Sequence, residues 1–143
     1  MILVDANILI YAYHDTAPQH DAAKGWLETT LNNEEPVAFA LATLLAFVRI
    51  STDAALYRRP LSTLDALAAV SGWRARQNVQ FIGPTDRHWE ILGRVATTGQ
   101  ARGPLMMDAH LAALAIEHNA TLATNDRGFA RFPGLKVRFP LAG

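Results

Sequence analysis

The chain has 143 residues, half of them apolar and 18% charged, a composition that excludes a disordered or fibrous protein. Cysteine is absent, which excludes disulfide frameworks and thiolate metal sites and suits a reducing compartment, so we expect a cytoplasmic protein. The 13 basic and 13 acidic residues cancel, so any binding of nucleic acid must depend on a local patch of charge.

No segment has the pattern of a membrane span or an export signal. The longest apolar run, Pro36 to Val48, is shorter than the roughly 20 residues that a membrane helix needs. The first residues lack the basic region of a signal peptide and carry Asp5 inside the apolar stretch. The length fits one hydrophobic core, so we expect residues 1–143 to form a single domain.

Short apolar runs alternate with helical patterns along the chain. Residues 1–4 form an apolar run without alternation, which is typical of a strand buried on both faces of a parallel sheet. The patterns predict, in chain order, strand 1–4, helices 6–13 and 17–31, strand 37–40, helices 43–51 and 63–76, strand 80–82, helices 85–97 and 108–118, strand 121–123 and an edge strand 136–139.

Polar residues predict where several of these helices begin and end. Thr43, Thr85 and Asp108 are predicted as helix caps, and Ser62 begins a capping box. Asn119 is predicted to end the helix 108–118 in a left-handed conformation. Strands that alternate with helices imply right-handed crossovers, so we predict an α/β fold: a three-layer α/β/α sandwich around a parallel sheet of four to five strands.

Three aspartates are expected at one edge of this sheet. Asp5 follows the first strand, Asp126 lies three residues past the strand 121–123, and Asp108 begins the helix before that strand. Ligands of open parallel sheets bind outside the carboxyl ends of the strands, so all three side chains can reach one crevice. Taken singly, each has a simpler explanation as a helix cap or a turn residue.

Three carboxylates in one crevice repel one another unless a cation neutralises them. Mg²⁺ takes oxygen ligands and keeps several waters, and Mn²⁺ can substitute for it. Such an ion lowers the pKa of a bound water and stabilises charge on a phosphate, which predicts phosphodiester hydrolysis. Asn7 can hold a carboxylate or a metal-bound water, although an ordinary asparagine at a helix start is an equally good interpretation.

With Asp5-Ala6-Asn7, the stretch Asp108 to Ala115, and Thr124 to Phe129, the chain resembles the PIN-domain ribonucleases, and the VapC toxins most of all. The resemblance covers essentially the whole chain. It implies cleavage of structured RNA such as tRNA or rRNA with Mg²⁺ or Mn²⁺, and silencing by a VapB-like antitoxin. It also implies that Asp5, Asp108 and Asp126 are catalytic metal ligands, directly or through water, supported by Thr124 and Asn7.

One position departs from the family pattern. PIN domains usually carry a glutamate on the helix after the second strand, where this chain has Ala46. The site then has fewer protein ligands and more waters, recruits a ligand from elsewhere, or has lost activity; we favour the first. Thr43 and Arg49 lie one turn either side of Ala46, so Thr43 can hold a metal-bound water and Arg49 an RNA phosphate. A helix cap and a surface charge remain their ordinary interpretations.

Other residues are weaker candidates. Arg102 and Arg127 are the arginines nearest the crevice in sequence and are predicted RNA contacts. The apolar helices within 42–56 and 63–76 mostly serve the core, but part of their surface can form a homodimer face or an antitoxin groove. The five histidines show no zinc spacing, and His110 is assigned no role because residues two apart on a helix point to different faces.

Two rival functions remain. The first keeps the fold but takes Ala46 as a sign of weakened catalysis, leaving a module that binds antitoxin or RNA. The second, by analogy of fold, is a receiver-like domain that accepts phosphate on an aspartate. A receiver-like domain usually has a lysine at its site. This chain has only two lysines, Lys24 and Lys136, and neither ends a central strand near the crevice, so this alternative ranks last.

Overall fold

A computed structural model describes residues 1–142. The strands are β1 (Ile2–Val4), β2 (Val37–Ala40), β3 (Val79–Ile82), β4 (Thr121–Ala123) and β5 (Lys136–Arg138). The helices are α1 (Ala6–Tyr13), α2 (His20–Leu31), α3 (Leu41–Ser51), α4 (Thr63–Arg74), α5 (His88–Thr98) and α6 (Leu105–Glu117), and a short 3-10 helix spans Arg127–Arg131.

The five strands form one sheet in the order β3-β2-β1-β4-β5, and every neighbouring pair is parallel. The chain builds outward from β1 through β2 to β3, and then returns to the other side of β1 to add β4 and β5. The strand order therefore reverses between β1 and β4, where the carboxyl ends of the two strands border a natural crevice.

Alternate residues of the strands supply two separate cores. Leu3 and Leu122 point to the face covered by α5 and α6, whereas Ile2, Val4 and Phe39 point to the face covered by α1 to α4. Burial on both faces explains why these strands are apolar without alternation. The predicted α/β/α sandwich with a central parallel sheet is confirmed.

Four predicted helix starts are wrong by two or three residues. α2 begins at His20 rather than at 17, because Pro18 disfavours helical backbone in the residue before it. α3 begins at Leu41, directly after β2 and without a side-chain cap, so Thr43 lies inside the helix instead of capping it. α5 begins at His88 rather than at 85, because Thr85 lies in the turn before the helix, where its hydroxyl accepts from the Arg87 N–H, and it does not cap the helix. α6 begins at Leu105, after Pro104, and Asp108 lies in its first turn rather than at its start.

Other local signals are confirmed. The Ser62 hydroxyl accepts a hydrogen bond from the Asp65 N–H at 3.0 Å and caps α4. Asn119 adopts a φ of 52°, and the Ala120 N–H then donates to the Ala115 carbonyl, which closes the end of α6. This stop returns the chain to the sheet at the first residue of β4.

The apolar helices divide between core and surface. Phe47 and Trp73 are buried and pack edge to face. Leu64 and Leu67, one turn apart on α4, are exposed by 77% and 50%, so this face of α4 is apolar and open to solvent. Within residues 1–142, no helix is both long enough and apolar enough to cross a membrane.

Candidate active site

Asp5 lies where β1 ends and α1 begins, at the reversal of strand order. Its main-chain N–H donates to the Ala123 carbonyl of β4 at 2.9 Å, which continues the pairing of the two strands. Its Oδ1 accepts from the Ala6 N–H at 2.7 Å and caps α1. The ordinary role as a helix cap is therefore real, and it leaves Oδ2 facing β4.

Thr124 connects the aspartates that follow β1 and β4. Its side chain is fully buried, and its hydroxyl donates to Asp5 Oδ2 at 2.7 Å. The hydroxyl oxygen of Thr124 also accepts a hydrogen bond from the Asp126 N–H at 3.0 Å. Thr124 thus fixes one oxygen of Asp5 and the backbone that carries Asp126.

Asn7 ties the same two segments together from α1. Its Nδ2 donates to Asp5 Oδ2 and to Thr124 Oγ1, both at 3.3 Å, and its Oδ1 accepts from the Asn125 N–H at 3.2 Å. An asparagine satisfied on both ends of its amide holds the loop after β4 against the start of α1. These contacts fit the supporting role expected for Asn7 and Thr124.

Asp126 and Asp108 complete the acidic cluster from two other elements. Asp126 is exposed, and its Oδ1 accepts from the Gly128 N–H at 2.8 Å, so it also caps the 3-10 helix. Asp108 is half-buried in the first turn of α6, and no side-chain hydrogen bond to it is found among residues 1–142. Of the three carboxylates, that of Asp108 therefore accepts the fewest hydrogen bonds from the described residues.

The three carboxylates affect one another electrostatically. Burial raises the pKa of the Asp5 carboxyl, hydrogen bonds from Thr124 and Ala6 partly offset that rise, and the negative charge of Asp126 adds to it. Burial also raises the pKa of the Asp108 carboxyl, and the charges of Asp126 and Asp5 raise it further. Negative charge is therefore costly in this cluster as it stands, and a cation would relieve it.

A groove of about 690 Å³ opens beside Asp5 and Asp108. One wall is α3, which contributes Thr43, Ala46 and Arg49, and the other is the start of α6. Ala46 faces the same groove as the carboxylates, so the missing glutamate leaves space inside the site. Thr43 is buried and lines this groove.

The arginines named from the sequence lie in different places. Arg49 lines the groove, whereas Arg102 borders a separate depression with Ala96 and Gln100. Arg127 lies over the Phe139 ring, with its guanidinium carbon 4.4 Å from the ring centroid. The charge of Arg131, on the same 3-10 helix, acts to lower the pKa of Asp108; no sequence motif distinguished this arginine from the others.

The oxygen atoms of this site are suitable ligands for a hard divalent cation, but their spacing suits such an ion less well. Carboxylate and hydroxyl oxygens are the ligands that Mg²⁺ prefers. However, no three Asp, Glu, His or Cys side chains within residues 1–142 are grouped closely enough to hold an ion by themselves. The arrangement fits an ion bound partly through water, with the residues of the groove around its water shell.

Thr124→Val tests the central contact of this cluster. We expect it to destabilise the fold by about 1–3 kcal/mol, because a half-buried carboxylate loses its best donor. We also expect the pKa of Asp5 to rise further, since Thr124 now opposes the effect of burial. Urea unfolding and NMR titration of the carboxyl groups measure the two effects.

Thr121→Val is the matched control, because it makes the same change three residues earlier, at the half-buried first residue of β4. Equal losses of stability in the two variants would contradict the role given to Thr124.

The chain belongs to the PIN domain family, whose model matches residues 2–135. Among curated proteins, the chain is 41% identical to ribonuclease VapC37 of Mycobacterium tuberculosis, over 99% of both chains. It is 38% identical to ribonuclease VapC43 of the same organism, over 100% of this chain and 97% of the relative. These similarities confirm the resemblance predicted from the aspartate motifs.

Solved structures share the fold at low sequence identity. The chain matches VapBC-1 of nontypeable Haemophilus influenzae with a TM-score of 0.70 at 18% identity, covering 99% of this chain and 100% of that one. It matches M. tuberculosis VapC20, described as a toxin that cleaves the sarcin-ricin loop, with a TM-score of 0.66 at 16% identity, over 95% and 99%. At such identities the likeness concerns the fold alone.

Proposed function

We propose that this protein is a Mg²⁺-dependent endoribonuclease and the toxin of a type II toxin-antitoxin pair, acting on structured RNA such as tRNA or rRNA. The observation that carries the proposal is the acidic cluster in which the charge of Asp126 adds to the raised pKa of the Asp5 and Asp108 carboxyls, two groups that line an open groove. The names of the full-length relatives, VapC ribonucleases, support the same activity.

The three aspartates would hold Mg²⁺, or Mn²⁺ in its place, directly or through water. When bound, the ion supplies a water of lowered pKa and stabilises charge on the scissile phosphate. Asp5 is held for this role by Thr124 and Asn7, so one of its oxygens needs no reorganisation when an ion binds. Asp108 has the freedom to adjust, since its carboxylate is not tied down by another side chain.

RNA would enter along the groove between α3 and α6. Arg49 lines this groove and can pair with a backbone phosphate, and Thr43 can hold a water of the ion's shell. Arg102 and Arg127 would contact RNA outside the groove. Arg127 would do so with its guanidinium stacked on Phe139, which leaves its edge available to a phosphate.

An antitoxin similar to VapB is the expected partner. The groove beside the carboxylates is largely apolar, lined by Leu45, Val48, Met107 and Leu111, and an amphipathic segment would cover it and block access to the aspartates. The solved structures of similar fold include VapBC-1 of H. influenzae. The exposed Leu64 and Leu67 of α4 would form part of a homodimer face.

The alternative, a module that binds antitoxin or RNA with weakened catalysis, draws on two observations. Ala46 takes the place of the usual glutamate, and the described residues include no ready-made group of three ligands. We favour the enzyme, because three carboxylates beside an open groove can still bind Mg²⁺ partly through water.

Removal of the metal separates the two functions. Purified protein, free of antitoxin, should cleave a folded tRNA or rRNA fragment in millimolar Mg²⁺ and should stop when EDTA is added in excess. Activity should return with Mg²⁺ or Mn²⁺ and should not return with Na⁺ at equal ionic strength. RNA that is bound but stays intact under all these conditions would support the binding module instead.

A further inference from the structure

A second group of polar side chains joins α5 to α6, apart from the aspartates. The Oε2 of Glu117 contacts the Nδ1 of His88, and the Nε2 of His88 lies 2.9 Å from the Nδ1 of His110. His88 is buried at the start of α5, while His110 and Glu117 lie two turns apart on α6. The imidazole of His88 therefore bridges the two helices.

Glu117 is held in place on its other side. Its Oε1 accepts from the N–H and from the hydroxyl of Thr85, both at 2.8 Å. The remaining oxygen is thus fixed to receive the Nδ1 proton of His88. A carboxylate that accepts this proton leaves the lone pair of the same imidazole on Nε2, the arrangement commonly found behind metal-binding histidines.

The two imidazole nitrogens are close to the spacing of metal ligands. Bonds of about 2.0 Å to a tetrahedral ion place two nitrogens about 3.3 Å apart, so a shift of a few tenths of an ångström separates the observed 2.9 Å from a ligand pair. The rings lie at 80° to each other, and His110 must carry its proton on Nε2 for its Nδ1 to bind an ion. We propose that His88 Nε2 and His110 Nδ1 bind a borderline divalent ion, Zn²⁺ or Ni²⁺, with Glu117 orienting His88.

Water completes the coordination of this ion. Among the described residues, no third ligating side chain is grouped with His88 and His110 closely enough to hold the ion with them, so the protein supplies two ligands and the ion exchanges with solvent. His118, the next histidine on the chain, directs its Nε2 to the Gly83 carbonyl at 2.7 Å and is not a ligand. Imidazole nitrogen favours Zn²⁺ and Ni²⁺ over Mg²⁺, so the site is chemically distinct from the aspartates.

Calorimetric titration of the full chain with Ni²⁺, in millimolar Mg²⁺ to occupy oxygen sites, tests the proposal. We expect one Ni²⁺ per chain, an affinity at least about tenfold lower in His110→Gln, and an unchanged affinity in the control His118→Gln. Glu117→Gln keeps both ligands and should weaken binding by about 10- to 100-fold. No saturable binding, or equal affinity in His110→Gln, would mean that the histidines form only a hydrogen bond between helices.

A measurement on the unmodified chain keeps the test independent of how the variants fold. The ¹⁵N resonances of the imidazole rings should shift on addition of Zn²⁺ at His88 and His110 only. Shifts confined to His14, His20 or His118 would overturn the assignment. Neither experiment uses RNA, so the result does not depend on the proposed ribonuclease activity.

Discussion

Asp5→Asn is expected to reduce RNA cleavage by at least about 100-fold, because loss of a supporting contact behind a metal ligand already costs about 10- to 100-fold. The variant keeps an oxygen that can accept from the Ala6 N–H, so the cap of α1 survives. Its new amide can donate to the Thr124 hydroxyl, which reverses the present hydrogen bond, while the long donation from Asn7 Nδ2 at 3.3 Å is lost. Gel analysis of a labelled RNA in Mg²⁺ measures the loss.

The same change should make the fold more stable at neutral pH. The folded-state pKa of Asp5 is raised above its ordinary value of 3.8, so the folded state binds the proton more tightly than the unfolded state does. Stability is therefore lost as pH rises from 3.8 through the raised pKa, and asparagine removes that loss. Unfolding in urea at pH 7 and at pH 3 should show an advantage of Asp5→Asn at pH 7 only.

Mg²⁺ provides a second comparison. A ligand that binds only the folded state stabilises it, by about 2.7 kcal/mol at 100 times its dissociation constant. Mg²⁺ should therefore raise the melting temperature of the wild type and leave that of Asp5→Asn unchanged. Asp21→Asn, a matched change at an exposed position of α2, should keep both the activity and the response to Mg²⁺. Full cleavage by Asp5→Asn would refute the assignment of the site.

Ala46→Glu should strengthen the binding of Mg²⁺. Ala46 faces the groove that also exposes Asp5 and Asp108, so a glutamate there adds a carboxylate to the same cluster. We expect the Mg²⁺ concentration for half-maximal cleavage to fall by about tenfold, which corresponds to about 1.4 kcal/mol of added binding. Without Mg²⁺ the variant should be less stable than the wild type, because a fourth negative charge joins three that already repel.

Leu41→Glu adds the same side chain to the same helix at a position that is 66% exposed and outside the groove. This control should leave the Mg²⁺ dependence as it is. If Ala46→Glu also leaves it unchanged, then the space beside Ala46 is not part of the ion's surroundings, and the interpretation of a site with more waters and fewer protein ligands is wrong.

The sequence predicts the layers of this fold well and the helix starts less well. Apolar runs such as Ile2–Val4 are unambiguous because burial on both faces of a parallel sheet demands them. The sequence does not reveal the start of α3, because β2 is followed directly by apolar helical residues and no polar cap marks the boundary. The start of α6 is hidden because Pro104 and Gly103 fit a loop as well as a helix entry.

For the candidate site, position along the strands predicts which aspartates approach one another, and a rule of sheet topology is enough for that. The sequence does not predict the hydrogen bonds of each carboxylate or the direction in which its pKa shifts. Thr124 fixes Asp5 through a hydrogen bond that spans 119 residues, and Arg131 acts on Asp108 from a 3-10 helix. The link from Glu117 through His88 to His110 also depends on how two helices pack, and no spacing of histidines predicts it.

The pairing of β1 with β4 brings together segments that are far apart in the chain, Ile2 with Thr121 and Val4 with Ala123. During translation, therefore, Asp5 leaves the ribosome long before its partners Thr124 and Asp126 do. Under the proposed function, a nascent chain lacks the complete acidic cluster, and with it the cleaving activity, until Asp126 has left the ribosome and β4 has paired with β1.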